Sequence, residues 1–570
     1  MRQTKFCYEK YQNQIESRLA KLREEKIIER IWQKDHTVWS EDPTEISNRL
    51  GWLDSPSKGL EQVDEINHFV NEIINEGFTN ALLLGMGGSS LAPEVFRLTF
   101  GVSEGYLDLA VLDSTDPGAV IDKTKNLDLE KTLFIVSTKS GGTVETISFM
   151  KYCFNLSQEK LGTEKAPENF IAITDPGSGL EQMAKDLNFR KIFLNDPDIG
   201  GRFSALSLFG LVPAALVGID LRELLKAANN EADASKNTED FEINIAAKIG
   251  VMMGALANKG VDKVTLISSA KLKYFGAWAE QLIAESMGKF GKGILPVDLE
   301  EVLQPDEYSK DRVFVYLKLK DESESDEQVS ALIEKGFPVV QLELDNLYAL
   351  GAEFLSWEIA TAISGWVIGV QPFDQPNVEE AKVKAREMMA AYKEKGELPK
   401  LDVSLTEDQI SIYGDVSSGS IKEALNEFLD SYNPGENEIK DRSYVALQAY
   451  VRPTEETTNA LQGLRTKIQK KYKLATTVGY GPRFLHSTGQ LHKGDAGHGL
   501  FIQFTANMPE DINIPDNPGE DSSLITFGVL KNAQALGDRQ ALLDNDRKFI
   551  RIDLGNEVGN GLTKLASYLD

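Results

Sequence analysis

A chain of 570 residues, 41% hydrophobic and 8% aromatic, holds core-forming side chains for more than one domain, since single cores stop growing at about 250–300 residues. Its 88 acidic and 61 basic side chains leave a formal charge of −27, which opposes nucleic acid and anionic membranes and requires any anionic substrate to be met by locally concentrated positive charge. Two cysteines, Cys7 and Cys153, exclude a disulfide framework and fit a reducing, cytoplasmic setting.

Residues 1–12 lack the apolar core and cleavage pattern of a signal peptide, and residues 1–50 read as a charged, helical lead-in that packs on the rest of the chain. From Asn80 onward, short apolar runs at 81, 107, 133, 170 and 191 alternate with helical patterns, predicting a parallel sheet with helices on both faces across a first domain, 51–235. Ligands in such sheets sit beyond the carboxyl ends of the strands. The polar stretch 229–240 marks the boundary to a second unit of similar kind, 236–400, with strands near 263, 294, 313 and 338. Its acidic run at 321 reads as a solvated loop or helix start. The long apolar stretch Leu347 to Val370 carries Glu353 and Glu358, which indicates a buried helix and not a membrane span. A polar segment to about 441 leads into a smaller α/β part, 401–570.

Three loops concentrate anion-binding chemistry. Gly85-Met86-Gly87-Gly88-Ser89-Ser90 follows a strand and opens a helix, so its backbone amides and helix N-terminus can face an anion. Taken alone, the same turn also fits a dinucleotide site, with Asp113 as the ribose acid, or a plain tight turn, although Ser90 stands where the dinucleotide fingerprint has its third glycine. The second loop, Thr138-Lys139-Ser140-Gly141-Gly142-Thr143, brings three hydroxyls and a lysine to another strand–helix junction, which suits a terminal phosphate. Its bland reading is a helix cap at Thr143. The third places Arg202 after Gly200 and Gly201 at the mouth of an apolar helix, where an always-charged planar fork has a ready use.

Together with the segments Gln281 to Lys289 and Val370 to Lys382, these loops resemble the glucose-6-phosphate isomerases over roughly residues 50–395. The lead-in and the C-terminal segment 481–495 resemble the isomerase half of bifunctional transaldolase/glucose-6-phosphate isomerase proteins, and only the isomerase activity is expected here. The resemblance implies two doubly wound sugar-isomerase domains with parallel sheets, in the α/β class, plus the smaller C-terminal α/β part. It implies that Thr138, Lys139, Ser140 and Thr143 hold the substrate phosphate, flanked by Gly88 and Ser89. The Gly201–Arg202 pair would place the arginine on the enediolate, Glu285 would be the base with Gln281 one turn before it, and Gln375 and Lys382 would be the signature glutamine and lysine. Pro376 and Asn377 depart from the family pattern, in which glycine precedes the valine.

The family's ring-opening histidine normally lies between the base and the signature lysine, yet no histidine occurs between 285 and 382. His486, four residues before Gln490, repeats the family's spacing and is the expected substitute, acting from its own chain or a neighbour's. The implied partners are glucose 6-phosphate and fructose 6-phosphate, with no cofactor, no metal, no nucleic acid and no membrane. The family implies a homodimer, whereas a C-terminal part covering the usual interface would leave a monomer.

Aldose–ketose interconversion needs a base that takes a proton from one carbon and returns it to the next, which Glu285 would supply while Arg202 offsets the oxygen charge and His486 with Lys382 opens the ring. The competing readings are metal-assisted isomerisation through His486, His492, Asp495 and His498, a sugar-phosphate sensor that uses the loops without turnover, and a dehydrogenase.

Overall fold

A computed structural model describes residues 2–570. The five apolar runs of the first unit form Asn80–Gly85, Asp108–Leu112, Thr132–Ser137, Phe170–Thr174 and Lys191–Leu194, all paired in parallel. Leu82, Leu83 and Leu84 are all fully buried, as a sheet covered by helices on both faces requires. Asn80–Gly85 lies between Asp108–Leu112 and Thr132–Ser137, so the chain order reverses there. The loops after Gly85 and Ser137 therefore open side by side at the switch point, where ligands of such sheets sit.

The second sheet runs Val339–Leu344, Arg312–Leu319, Lys263–Ser268, Leu295–Val297, again in parallel. Its outer edge departs from the reading of residues 1–50 as a helical lead-in. Arg2–Cys7 is a strand, antiparallel to Val339–Leu344 with Arg2 opposite Leu344, and the helices Gln12–Glu24 and Ile27–Trp32 come after it. Six residues with a charge at positions 2 and 5 give a weak apolar signal. The strand is held by its partner edge and by Arg2, whose guanidinium donates to Glu353 Oε1 at 2.7 Å and to both Glu231 oxygens at 3.0 and 3.1 Å.

The third part has a six-stranded sheet. Lys548–Asp553, Gly499–Thr505, Tyr444–Tyr450 and Ala475–Tyr480 pair in parallel, and Ile410–Tyr413 and Leu405–Glu407 extend it antiparallel. The helix Leu221–Ser235 runs through most of the polar stretch and ends at the 235/236 boundary of the sequence reading. The helix Val378–Lys395, counted with the second unit, packs against Phe527–Asp544 of the third. Small residues permit that approach: a Cβ on Gly537 would stand 2.6 Å from the Ala385 nitrogen. The acidic run ends as expected in a helix, Asp326–Lys335.

The apolar stretch forms the buried helix Leu350–Ile368, and no helix among the described residues is long and apolar enough to cross a membrane. Glu353 is matched by Arg2. Both Glu358 oxygens are buried without a hydrogen-bond partner, and burial raises that carboxyl well above its ordinary range. The folded state thus holds the proton more tightly than the unfolded chain, so stability is lost as pH rises from the unfolded pKa towards the folded one. We predict that Glu358→Met raises the melting temperature, by the equivalent of about 1–3 kcal/mol at pH 8 and by less at pH 5. An equal or opposite effect at the two pH values, read by thermal unfolding, refutes this.

Candidate active site

The loop after Thr132–Ser137 turns into the helix Val144–Leu161 through Thr143. Thr143 stands at the N-cap but its side chain does not cap; its Oγ1 lies 2.9 Å from Thr138 Oγ1 instead. Ser140, Gly142, Thr143 and Val144 consequently line a cavity of about 530 Å³ at the open helix N-terminus. Lys139 points elsewhere, to the Asp175 carboxylate and, at 2.8 Å, to the Pro197 carbonyl. The neighbouring turn depends on glycine twice. Gly87 has φ +55°, and a Cβ on it would touch both Gln281 Nε2 and His486 O at 3.0 Å. A Cβ on Gly88 would stand 2.0 Å from the Gly201 carbonyl, so the first and third loops meet backbone to backbone. Ser89 is buried in the first turn of the helix Gly88–Phe100.

Arg202 is buried and bound on all sides. Its Nε donates to Ser286 Oγ at 2.8 Å, Nη1 to Gln375 Oε1 at 3.0 Å, and Nη2 to the carbonyls of Pro372 and Asp374. Nη1 lies 3.7 Å from Glu285 Oε2. Glu285 sits on Phe275–Met287 one turn after Gln281, whose amide donates to Glu285 Oε2 at 3.2 Å and to the His486 carbonyl at 2.8 Å. Burial raises the Glu285 carboxyl, opposed by the charges of Arg202, His486 and Lys382.

His486 comes from the same chain. It ends the short turn Arg483–His486 of the third part, and its Nε2 lies 3.0 Å from Glu145 Oε1. Glu145, in the first turn of Val144–Leu161, also accepts from Gln534 Nε2 at 2.6 Å, and Gln534 Oε1 accepts from Thr115 Oγ1 at 2.9 Å. Burial pushes the Glu145 carboxyl up, but the His486 charge and hydrogen bond, with Lys382, outweigh it and hold it below its ordinary value. Lys382, on Val378–Lys395, lines the same cavity as His486, Glu145 and Gln534. The three histidine and aspartate neighbours do not converge with His486. His492 is buried with Nδ1 3.4 Å from Gln448 Nε2, Asp495 accepts from Tyr444 Oη at 2.8 Å, and His498 faces Asp441 at 3.6 Å.

The profile of the phosphoglucose isomerase family matches residues 65–294. A probable glucose-6-phosphate isomerase of Methanococcus maripaludis is 31% identical over 438 residues, spanning 67% of this chain and 94% of that protein. The chain belongs to the phosphoglucose isomerase family. A glucose-6-phosphate isomerase of Methanocaldococcus jannaschii is 30% identical over 59% of this chain and 90% of its own. Among solved structures, a hypothetical protein of Thermus thermophilus shares the fold with a TM-score of 0.60 at 24% identity, covering 68% of this chain and all of that one. A glucose-6-phosphate isomerase of Chlamydia trachomatis does so at 0.51 and 20%, covering 64% and 78%.

Three further residues meet the expected ones in this cluster and were not singled out by the sequence: Glu145, Lys289 and Gln534. Glu145 was hidden because an acidic first-turn residue has a bland explanation, its favourable place on the helix dipole. Lys289 closes the base segment and is wholly buried, donating to the Gln371 and Asp374 carbonyls and to the Asp374 carboxylate. Burial and the charge of Arg202 bring its ammonium down to about 7 against the pull of Asp374. Gln534, 389 residues from Glu145, left no signal.

The packing of Gly88 on Gly201 makes a paired expectation. Gly88→Ala must push the first and third loops apart and lowers the melting temperature by several degrees. Gly142→Ala, where nothing lies within 4 Å of the added carbon, leaves it unchanged. Equal effects in a thermal melt contradict the packing argument.

Proposed function

We propose that this chain interconverts glucose 6-phosphate and fructose 6-phosphate through an enediolate; the two archaeal relatives are named as a probable and a plain glucose-6-phosphate isomerase. The observation that carries the reading is the convergence of a buried carboxylate–guanidinium pair, Glu285 and Arg202, with a histidine–carboxylate pair, His486 and Glu145, through one glutamine amide. Beside them opens a helix N-terminus lined with hydroxyls.

We assign the substrate phosphate to the hydroxyls of Ser140 and Thr143 and the free amides of that helix, with Thr138 positioning Thr143 and Gly88 and Ser89 flanking them. Lys139, engaged by Asp175, adds positive charge nearby and no direct donor in this arrangement. His486 and Lys382 then exchange protons with the ring oxygen and the anomeric hydroxyl to open the sugar, and Glu145 orients the imidazole and stabilises its charged form. Glu285 takes the proton from C2 and delivers it to C1 while one hydroxyl proton passes between the two oxygens, so that aldose and ketose are isomers with nothing gained or lost. Arg202, aligned by Gln375 and the backbone after Gly201, offsets the charge on the enediolate oxygen. Because His486 reaches Glu145 within one chain, we propose that a single chain holds a complete site. The two cysteines are free and buried, which supports a reducing, cytoplasmic setting.

Glu285→Gln should lower kcat about 100- to 10,000-fold in an assay coupling fructose 6-phosphate to a glucose-6-phosphate dehydrogenase. Near-native turnover would falsify the assignment. Since burial raises Glu285, the acid limb of kcat/KM should break above the ordinary glutamate value of about 4.3, activity falling as the base is protonated. A limb that persists unchanged in Glu285→Asp while Glu145→Gln removes it would transfer the titration to the histidine pair.

A further inference from the structure

The third part of the chain has a parallel sheet with a carboxyl edge of its own; the isomerase site draws His486 from the turn after Ala475–Tyr480 at that edge and makes no use of Gly499–Thr505 and Lys548–Asp553. Strands Gly499–Thr505 and Lys548–Asp553 end there, opposite the helix Phe527–Asp544 and beside the segment around Lys400. Two cavities of about 530 and 550 Å³ adjoin along Lys548–Asp553, the first at this edge beside Thr505 and Asp553 and the second towards the strand's amino end beside Arg547 and Phe549, with Lys400, Leu401 and Tyr413 common to both. These volumes fall in the range of small-molecule sites, and the first cavity lies where doubly wound sheets bind ligands.

Arg551 lines the first cavity and Arg539 the second. Arg551 is 8% exposed; its Nε donates to Gln503 Oε1 at 2.7 Å, while Nη2 is buried with no partner. Arg539 Nε is buried without a partner as well. Among the described residues neither guanidinium forms an ion pair, although the chain carries a charge of −27. The acids nearby are otherwise occupied or exposed: Asp553 accepts from Thr505 Oγ1 at 2.7 Å and from the Gly555 amide at 3.0 Å, and Asp402 and Asp415 stand at the surface. Burial, followed by the like charge of Arg539, pushes Arg551 down to about 10, so both remain cationic at neutral pH and repel each other. Two desolvated cations side by side without a counterion cost stability that a bound anion would restore.

We propose that these adjoining cavities are a second ligand site, in which Arg551 and Arg539, with Lys400, take the phosphoryl group of a small hydroxylated phosphate monoester. Guanidinium forks match phosphoryl oxygens, and the amides of Asn507 and Asn532 in the first cavity meet the hydroxylated body. The helix Phe527–Asp544 joins this site to the isomerase centre, because it presents Asn532 and Arg539 to the cavities and Gln534 to Glu145, the partner of His486.

The test is titration calorimetry at low ionic strength on the full chain carrying Ser140→Ala and Thr143→Val, which disable the first phosphate loop. Inorganic phosphate and glucose 6-phosphate are the probes. One equivalent of each should still bind, glucose 6-phosphate more tightly, and Arg551→Met should weaken both roughly tenfold or more. Arg539→Met, at a half-buried position that does not threaten folding, should do the same, and Arg551→Lys should recover part of the loss. Absence of binding to the loop-disabled chain, or binding indifferent to Arg539→Met, overturns the site; equal affinity for the two probes overturns the hydroxylated body. None of these readouts depends on isomerase turnover.

Discussion

The candidate site depends on one contact, His486 Nε2 against Glu145 Oε1, made between residues 341 apart in the chain. It exists only because the third part is docked on the first two. That docking is polar and buried. Lys531 pairs with Asp116 at 2.8 Å, and Gln534 bridges Thr115 and Glu145. Gln490 donates to the Gly288 carbonyl and to Asn377 Oδ1, both at 2.8 Å, and accepts from the Asn377 amide. Such groups contribute little net energy compared with apolar packing, but a docking shifted by one residue would strand them unpaired, which costs several kcal/mol, about 3–5 for a broken buried pair. They therefore fix where His486 lies. Apolar packing supplies the adhesion: Phe527 stacks on Phe149 at 5.8 Å, and Ile514, Phe527 and Leu530 complete the core behind the first sheet.

Charge is organised in the same way. Against an overall −27 the site gathers Arg202, Lys289 and Lys382 around Glu285. Arg202 and Lys289 both donate to the Asp374 carbonyl, so two buried basic side chains lock the segment that carries Gln375. An anionic substrate thus meets local positive charge and oriented amides within an acidic protein, a balance set by burial and not by composition.

Much of the candidate site was legible because its parts are local. Strand–loop–helix junctions at 85–90 and 138–143 arise from apolar runs ending in Gly/Ser/Thr, and helix periodicity places Gln281 and Glu285 on one face. The departure from the family pattern at Asn377 also has a physical account, since its side chain, which glycine lacks, pairs with Gln490 and ties the lysine helix to the third part. What escaped were features whose reason lies elsewhere in the chain: the strand Arg2–Cys7, made by the edge it joins, and Lys139, drawn to Asp175.

By itself, then, the sequence determined two parallel-sheet units, the Gly/Ser/Thr loops at the carboxyl edge of the first, the helix carrying Gln281 and Glu285 and the family, because hydrophobic period, turn chemistry and helix phase act over a few residues. Tertiary structure alone decided that His486 faces Glu145 from its own chain, that Gln534 bonds Glu145 and Lys289 bonds Asp374 beside Arg202, and that Arg539 and Arg551 lie together without a counterion. Those depend on how separately folded units are pressed together, and contacts between residues hundreds of positions apart leave no period in the sequence from which to read them.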